Sequence, residues 1–294
     1  MAGLYGVFGV SIDTAKTTMA MLHGANAALL FLCSRRLHIR PQISVLPSLA
    51  YVALCVPAWP HASPHWFSTV IASLVLLVVL NEAWLGAHRF YVDERVIVPR
   101  SFIAEVLRAA KPPWHERPTP ARVLDLCTGS GCLAILAALA FPDAHVDAVD
   151  RSPDALAVAA RNVRDYRLAR RVRLVESDLF AALGATRYDL ILTNPPYVDA
   201  PAMRALPAEY RREPRLALDG GTDGLDLVAR ILDDAPAHLA AGGWVVLEIG
   251  HNRAAFERRW PNLRSRWASV RWLATSAGRD LVVALRAAQP QRTS

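Results

Sequence analysis

The sequence predicts an α/β fold: a doubly wound, mostly parallel sheet of seven strands, with a smaller and mainly helical N-terminal region. Two observations predict it. After residue 120, short apolar runs typical of buried strands alternate with longer stretches typical of helices, and parallel strands need such crossover helices. Before residue 81 this alternation is absent, and the chain is almost free of charge.

Seven runs in the second part of the chain have the length and composition of strands. They are residues 122–127, 145–149, 172–176, 188–193, 243–249, 270–274 and 280–285. The helices predicted between them are 132–141, 153–168 and 224–240, the second with Ser152 as its N-cap. The last two strands are joined by the short segment 275–279, so we expect them to form an antiparallel hairpin at the sheet edge.

The segment before this alternation predicts a hairpin, a helix and a linker. Residues 89–99 have the composition of two short strands around the turn Asp93-Glu94, and Ser101 is placed to cap a helix over residues 101–110. Residues 112–120 are rich in proline and predict a linker. The chain is therefore divided into an atypical apolar region at 1–80, this hairpin and linker at 81–120, and an α/β domain at 121–294.

Residues 1–80 contain only five charged residues, which is typical of buried or membrane-associated helices. One apolar stretch, 43–59, is interrupted by Pro47 and Pro57, and the other, 67–80, has fourteen residues. Because a membrane-spanning helix needs roughly twenty apolar residues, we predict buried helices. A membrane-associated hairpin and an atypical extension remain the alternatives. Residues 1–26 lack a basic segment before an apolar run, so no cleavable signal peptide is predicted.

The composition limits the class of protein and its setting. A hydrophobic content of 53% in 294 residues supports a large core and excludes disorder as the main state. The net charge of +7 predicts non-specific attraction to acidic partners such as RNA and ribosomes. The cysteines Cys33, Cys55, Cys127 and Cys132 do not have paired CxxC spacing. We therefore predict a reduced, cytoplasmic protein without a metal site.

In doubly wound sheets, ligands bind beyond the carboxyl ends of the strands, and the first candidate site stands there. It is the loop after the first strand of the α/β domain, whose candidate residues are Asp125, Cys127, Thr128, Gly129, Ser130 and Gly131. Glycine permits left-handed backbone and close ligand approach. The same glycine spacing also fits the relaxed dinucleotide fingerprint. A structural turn, a nicotinamide or flavin site and an S-adenosylmethionine site therefore remain open.

Two carboxylates follow the next two predicted strands. Asp150 ends the second strand, where a carboxylate can accept hydrogen bonds from both hydroxyls of a ribose. Asp178 follows the third strand and can accept from an adenine amino group, with Leu179 lining the ring. Helix or turn capping is the alternative interpretation of each, although Ser152 fills that role better than Asp150.

The fourth strand ends in Asn194-Pro195-Pro196-Tyr197, which predicts a pocket for a planar NH2 group. Two prolines stiffen the backbone and remove two N–H donors, so the carbonyl groups and the Asn194 oxygen form a set of acceptors. Acceptors that draw on the hydrogens of an amide or arylamine favour a pyramidal, nucleophilic nitrogen. Tyr197 can pack against the flat group. A simple proline-rich turn is the alternative, but it would not require asparagine at a strand end.

Together these motifs resemble the class I S-adenosylmethionine-dependent methyltransferases that modify the side-chain amide of glutamine in proteins. The resemblance is closest to the branch that acts on the third protein of the large ribosomal subunit. It covers about residues 80–285 and is carried by the strings at 81–84, 88–101, 125–132, 194–200 and 206–214. The sequence departs from the family at Phe102, where the branch has proline, and at residues 1–80, where family members carry a charged helical domain.

The resemblance implies a Rossmann-like sheet with strand order 3-2-1-4-5-7-6, an S-adenosylmethionine cofactor and a large-subunit ribosomal protein as substrate. It implies cofactor contacts at 127–131, Asp150, Leu179 and Asn194, and a substrate glutamine held by residues 194–197. An amino-methyltransferase acting on adenine or guanine of DNA or RNA is the alternative, because a base presents the same NH2 geometry. The near absence of charge in residues 1–80 favours the protein substrate.

Overall fold

The computed structural model describes residues 81–109, 112–114, 119–206, 210 and 213–287. The chain divides into two units, Met1–Glu82 and Ala83–Ser294. The helices or membrane hairpin predicted for residues 1–80 lie outside the described residues, as do residues 115–118 of the predicted linker. The three-part division of the chain therefore stays a prediction. Within the described residues, every helix is too short or too polar to cross a membrane.

The described residues form nine strands, seven α-helices and two short 3-10 helices. The strands are β1 (Glu82–Leu85), β2 (His88–Tyr91), β3 (Arg122–Leu126), β4 (His145–Asp150), β5 (Val172–Glu176), β6 (Tyr188–Thr193), β7 (Leu239–Glu248), β8 (Ser269–Trp272) and β9 (Val282–Arg286). The α-helices are α1 (Ile103–Arg108), α2 (Cys132–Ala140), α3 (Pro153–Asp165), α4 (Ala200–Arg204), α5 (Asp226–Asp234), α6 (Arg253–Arg259) and α7 (Leu263–Arg266). The 3-10 helices are Arg215–Ala217 and Ala235–His238.

The main sheet has seven strands in the order β5-β4-β3-β6-β7-β9-β8, and a separate two-stranded sheet joins β1 and β2. All pairs from β5 to β7 are parallel, whereas β9 pairs antiparallel with both β7 and β8. Counted from β3 as the first strand, this order is 3-2-1-4-5-7-6. The predicted fold class, strand order and C-terminal hairpin are therefore confirmed.

Helices cover both faces of the sheet because its central strands bury alternate residues on opposite sides. Along β6, Leu190 and Leu192 pack into a cluster with α2 and α1, while Ile191 between them packs into a second cluster with α5. Phe90 of β2 and Ile103 of α1 belong to the first cluster. Strand β2 and helix α1 therefore pack against the main sheet.

The predicted hairpin within residues 89–99 is wrong in position. The turn lies at Gly86-Ala87, between β1 and β2, and Gly86 has φ +64°. Asp93 does start a turn, since its carbonyl accepts from the Val96 N–H at 3.2 Å, but no strand follows within the described segment up to α1. A glycine that adopts left-handed backbone without steric cost locates the turn better than the alternation of residues 89–99 does.

Three helix predictions also need correction. The helix expected at 101–110 is α1, which starts at Ile103 with Phe102 as the N-cap residue. Ser101 nevertheless accepts a hydrogen bond on Oγ from the Ile103 N–H at 3.2 Å. The helix expected at 224–240 ends at Asp234, and Leu239 already belongs to β7. Helix α3 ends at Asp165 rather than 168, but its N-cap Ser152 is confirmed by a bond from the Ala155 N–H.

Candidate functional site

A cavity of about 410 Å³ lies at the carboxyl ends of β3, β4, β5 and β6. That size suits a nucleoside or a similar small molecule. Its inner wall includes Gly129 after β3, Asp150 at the end of β4, Leu179 after β5 and Asn194 after β6. The parallel arrangement explains the meeting, because carboxyl ends of adjacent parallel strands lie on the same edge of a sheet.

The loop between β3 and α2 brings backbone, rather than large side chains, to the cavity. Gly129 has φ +55° and lines the cavity, and Cys127 beside it has φ +58°, which is strained for a residue other than glycine. Gly131 has φ +78°, and a Cβ there would lie 3.1 Å from the Cβ of Ala159 on α3. Glycine at this position therefore lets α3 approach the loop, and Gly131 itself does not line the cavity.

Asp150 fastens this loop to β4 while its side chain faces the cavity. Its Oδ2 accepts from the Gly129 N–H and its Oδ1 from the Ser152 N–H, each at 2.9 Å. Burial raises the pKa of Asp150 against the effect of these bonds. Each carboxylate oxygen has two lone-pair directions, so one remains on each oxygen for a ligand hydroxyl.

Asp125 is buried beneath the loop and does not line the cavity. Its Oδ2 accepts from Thr128 Oγ1 at 2.5 Å and from the Ala134 N–H at 2.9 Å. Burial raises the pKa of Asp125 to about 7. Of the predicted cofactor residues, Asp125 and Thr128 thus hold the loop from below. Ser130 is also buried, and its carbonyl accepts from the Asn162 side chain at 2.8 Å.

The loop after β5 contributes one apolar and one acidic residue. Leu179 is buried with φ +50° and lines the cavity. Asp178 also lines the cavity, but its carboxylate forms two hydrogen bonds with the Arg230 guanidinium, at 3.1 and 2.8 Å. The bond from Arg230 is the main reason why the pKa of Asp178 is lowered. The pair is half exposed, so solvent screening makes it weak.

The segment after β6 presents an unsatisfied acceptor. Asn194 lines the cavity, and its Oδ1 is enclosed without a hydrogen-bond partner among the described residues. In the same part of the chain, no hydrogen bond reaches the main-chain oxygens of Pro195 or Pro196. A buried oxygen without a partner costs free energy, and a ligand N–H would satisfy it.

Tyr197 lies behind this segment rather than in the cavity wall. Its hydroxyl donates to Glu248 Oε1 at 3.4 Å, and its carbonyl accepts from Asn252 Nδ2 at 2.7 Å. Burial raises the pKa of the Tyr197 hydroxyl, so it stays protonated. The predicted packing of Tyr197 against a flat substrate group stays a prediction.

Two segments that sequence reasoning missed form the outer wall. Residues 95–97 and residues 214–217 both line the cavity. Glu213 joins them: its carboxylate accepts two bonds from the Arg100 guanidinium, at 2.8 and 2.6 Å, and one from the Val98 N–H at 3.1 Å. The Arg100 guanidinium also lies over the Tyr210 ring, 4.8 Å from its centroid. No short motif marks this wall, because its halves are more than a hundred residues apart.

The structure brings about half of the predicted site residues to the cavity. Those that line it are Cys127, Gly129, Asp150, Asp178, Leu179, Asn194 and Pro196, and those that do not are Asp125, Thr128, Ser130, Gly131, Pro195 and Tyr197. The cavity combines apolar side chains, the carboxylate of Asp150 and the Asn194 oxygen that has no hydrogen-bond partner among the described residues. It can hold a nucleoside-containing molecule beside a planar NH2 group.

Comparisons with known proteins agree with this geometry. A family model described as "Methyltransferase small domain" matches residues 108–208. A ribosomal protein uL3 glutamine methyltransferase of Bordetella pertussis is 61% identical over 188 residues, which cover 64% of this chain and 63% of the relative. Another protein with that name, from Burkholderia pseudomallei, is 53% identical over 217 residues, or 71% of this chain and 69% of the relative.

The chain thus spans less than two thirds of the Bordetella relative's length. Among solved structures, the hMettl16 catalytic domain in complex with MAT2A 3'UTR hairpin 6 aligns with a TM-score of 0.50 at 15% identity. That alignment covers 77% of this chain and 83% of that chain, and at such identity it shows the fold alone. Because the Burkholderia relative is 53% identical over more than two thirds of its length, this chain belongs to the family of ribosomal protein uL3 glutamine methyltransferases.

Proposed function

We propose that the chain is an S-adenosylmethionine-dependent methyltransferase that methylates the side-chain amide nitrogen of a glutamine in a large-subunit ribosomal protein of the uL3 type. One observation carries the proposal: the buried Oδ1 of Asn194, which has no hydrogen-bond partner in the described part of the chain, lies in the wall of a cavity that Asp150 also lines. The names of the relatives in two bacteria support it.

The residues around the cavity fit S-adenosylmethionine. Asp150 keeps lone pairs for the ribose hydroxyls, and the slot beside Val149, Leu179 and Leu227 is apolar enough for an adenine ring. Asp178, which accepts two hydrogen bonds from Arg230, can also accept one from the adenine amino group. When bound, this cofactor supplies a methyl group on a positively charged sulfur.

The protein's own contribution is to orient and activate the amide nitrogen. An amide nitrogen shares its lone pair with the carbonyl group, so it attacks poorly. Asn194 Oδ1 and the main-chain oxygens of Pro195 and Pro196, which accept no hydrogen bond from the described residues, can accept the amide hydrogens and draw the nitrogen toward a pyramidal geometry. The two prolines fix the positions of these oxygens before the substrate arrives, which lowers the entropic cost of alignment.

The proposed function also implies a binding partner and a cellular location. The substrate is a ribosomal protein, free or in a ribosome precursor, and the net charge of +7 favours weak non-specific contact with RNA around it. Such a substrate places the enzyme in the cytoplasm. A nucleic-acid amino group is the alternative substrate, and no observation on the cavity favours it over an amide.

The direct test uses a labelled methyl donor and ribosomal subunits from a strain that lacks the enzyme. We expect label on a glutamine of uL3, located by mass spectrometry of the labelled peptide. Label in RNA, or on another atom of the protein, would overturn the assignment. A mock reaction with heat-denatured enzyme controls for labelling by other enzymes in the preparation.

Two substitutions separate the substrate role from the cofactor role. Asn194→Ala should lower kcat by about 10² to 10³, the usual loss for one oriented polar group, and should leave cofactor affinity within a few-fold. Asp150→Ala should instead weaken binding of the cofactor. Binding of S-adenosylhomocysteine by calorimetry and steady-state kinetics measure the two effects. Equal loss of cofactor affinity in both variants would contradict the role of Asn194.

A further inference from the structure

Glu248 is a buried carboxylate at the carboxyl end of β7, only 2% exposed, that does not line the cavity. Its Oε2 accepts from Ser101 Oγ at 2.7 Å and from the Phe102 N–H at 2.9 Å. Its Oε1 accepts from the Tyr197 hydroxyl at 3.4 Å. A carboxylate loses hydration free energy when buried, and these hydrogen bonds offset part of that loss. Glu248 therefore links the start of α1 to the segment that follows β6.

Three glycines pack so closely against Tyr197 that none of them has room for a Cβ. A Cβ at Gly220 would lie 2.7 Å from Tyr197 Cα, and a Cβ at Gly250 would lie 2.6 Å from Cε2 of the tyrosine ring. A Cβ at Gly224 would collide with the Tyr197 carbonyl oxygen. That oxygen also accepts from Asn252 Nδ2. The ring and the carbonyl of Tyr197 are thus held by close packing, and Glu248 Oε1 anchors the outer end of the ring.

A displacement of Tyr197 would also displace Asn194, because only two prolines separate these residues. Each proline fixes its φ near −65°, which leaves few torsions to absorb a displacement. The side-chain oxygen of Asn194 has no hydrogen-bond partner of its own among the described residues. Its position therefore depends on the backbone, and the backbone depends on how Tyr197 is seated.

We propose that Glu248 is a positioning residue that holds the Asn194-Pro195-Pro196 acceptors in place through the hydroxyl of Tyr197. Tyr197 is accordingly the contact through which Glu248 acts, rather than a surface for the substrate. This inference rests on the proposed function for its effect on turnover, but its effect on the backbone is independent of the substrate.

The test compares Glu248→Gln, Tyr197→Phe, their double variant and Ser101→Ala. Glutamine keeps the size of Glu248 but not its charge, and phenylalanine removes only the hydroxyl. Ser101→Ala is the matched control, because it removes a bond to the same carboxylate without touching Tyr197. Circular dichroism and binding of S-adenosylhomocysteine establish that each variant is folded, and Tyr197→Phe carries the test if Glu248→Gln is not.

We expect Glu248→Gln and Tyr197→Phe each to lower kcat about tenfold or more, as small misplacements of reacting groups do, with cofactor affinity unchanged within about twofold. The double variant should lose no more than the worse single variant, because both changes break one connection. Ser101→Ala should change kcat less than about twofold. Additive losses in the double variant, or an equal loss in Ser101→Ala, would overturn the proposal.

A second measurement needs no substrate. Hydrogen–deuterium exchange of the peptide that spans residues 193–198 should rise in Glu248→Gln and Tyr197→Phe but not in Ser101→Ala. Unchanged exchange in the first two variants would contradict the positioning role. If the wild-type protein methylates no glutamine but exchange rises as expected, the proposed function fails while the positioning role stands.

Discussion

Two aspartates on either side of the glycine loop show how environment separates similar side chains. Asp150 faces the cavity and binds two backbone N–H groups. Asp125 lies beneath the loop, where its Oδ1 has no hydrogen-bond partner among the described residues. Burial raises the pKa of Asp125 to about 7, far above the usual value for aspartate. Asp125 therefore gains a proton on folding at pH values where the unfolded chain has lost it.

Because the pKa of Asp125 differs between the folded and unfolded states, the free energy of unfolding should depend on pH. Between about pH 4 and the folded pKa of about 7, the folded state binds a proton at Asp125 that the unfolded state does not. The contribution of Asp125 to the free energy of unfolding should therefore fall as pH rises through this window. Asp125→Asn should remove that fall. Urea unfolding at several pH values between 5 and 8 measures it.

Asp147→Asn is the control for this measurement. Arg173 and Tyr188 donate to Asp147 and hold its pKa below the usual value despite burial, so it stays ionised between pH 5 and 8 in both states. Its substitution should change stability by the same amount at each pH in that range. If Asp125→Asn kept the pH slope of the wild type, the buried-acid interpretation would be wrong.

At the level of single residues, the sequence predicted polar side chains that follow a strand, but not the residues that contact Tyr197 outside the cavity wall. Asp150 and Asn194 were recognisable because a polar residue directly after a buried strand is exposed at the binding edge. Glu248 was not recognised, because it lies inside the predicted strand 243–249, whereas the observed strand β7 ends at it. Asn252 and Gly220 gave no signal, since nothing local shows that they meet Tyr197.

At the level of elements, the turn after β7 is shaped by what it packs against. Gly250 has φ +56°, and a Cβ there would collide with the ring of Tyr197. Gly184 has φ +55°, and a Cβ there would meet nothing within 4 Å. The two glycines have nearly the same φ and differ in their surroundings.

Gly184→Ala and Gly250→Ala therefore separate backbone strain from steric contact. Gly184→Ala should cost about 1 to 2 kcal/mol, the strain of a left-handed residue with a Cβ. Gly250→Ala should cost roughly 1 to 3 kcal/mol more, because the ring of Tyr197 must move. Only the second should also reduce methyl transfer. Chemical denaturation and steady-state kinetics measure both, and equal costs would contradict the close packing around Tyr197.

Element predictions succeeded where the period of apolar residues was unambiguous. The bounds of β5 and β6 agree with the prediction, because each is a short run between polar residues. The predicted strands around Asp93 failed because backbone conformation at Gly86 decides where the chain turns. Helix α4 and helices α6 and α7 were not predicted, since four to seven residues are too few to show a period of 3.6.

At the level of the whole molecule, the cavity is lined by segments that extend from Arg95 to Leu227, so a ligand in it should stabilise the entire unit. At a concentration of 100 times Kd, a ligand specific for the folded state stabilises by about 2.7 kcal/mol. For a unit of this size that corresponds to a rise in Tm of roughly 5 to 11 °C.

S-adenosylhomocysteine should produce this rise in the wild type and in Asn194→Ala, measured by scanning calorimetry. Asp150→Ala should show little or none at the same concentration, because its carboxylate is the proposed ribose acceptor. Adenosine triphosphate serves as the control nucleotide and should shift Tm much less. A larger rise with the triphosphate would argue for a different class of ligand in the cavity.

The sequence alone determined the alternation of strands and helices, the order of the parallel strands through the family resemblance, and the polar residues after β4 and β6. These are local properties, since the period of apolar residues and the residue after a strand are visible in a short window. Only the tertiary structure decided that Arg100 meets Glu213, that Ser101 and Tyr197 share Glu248, and that Tyr197 lies behind the cavity wall. Those contacts join residues 51 to 147 positions apart, and their formation depends on how helices and loops pack on the finished sheet.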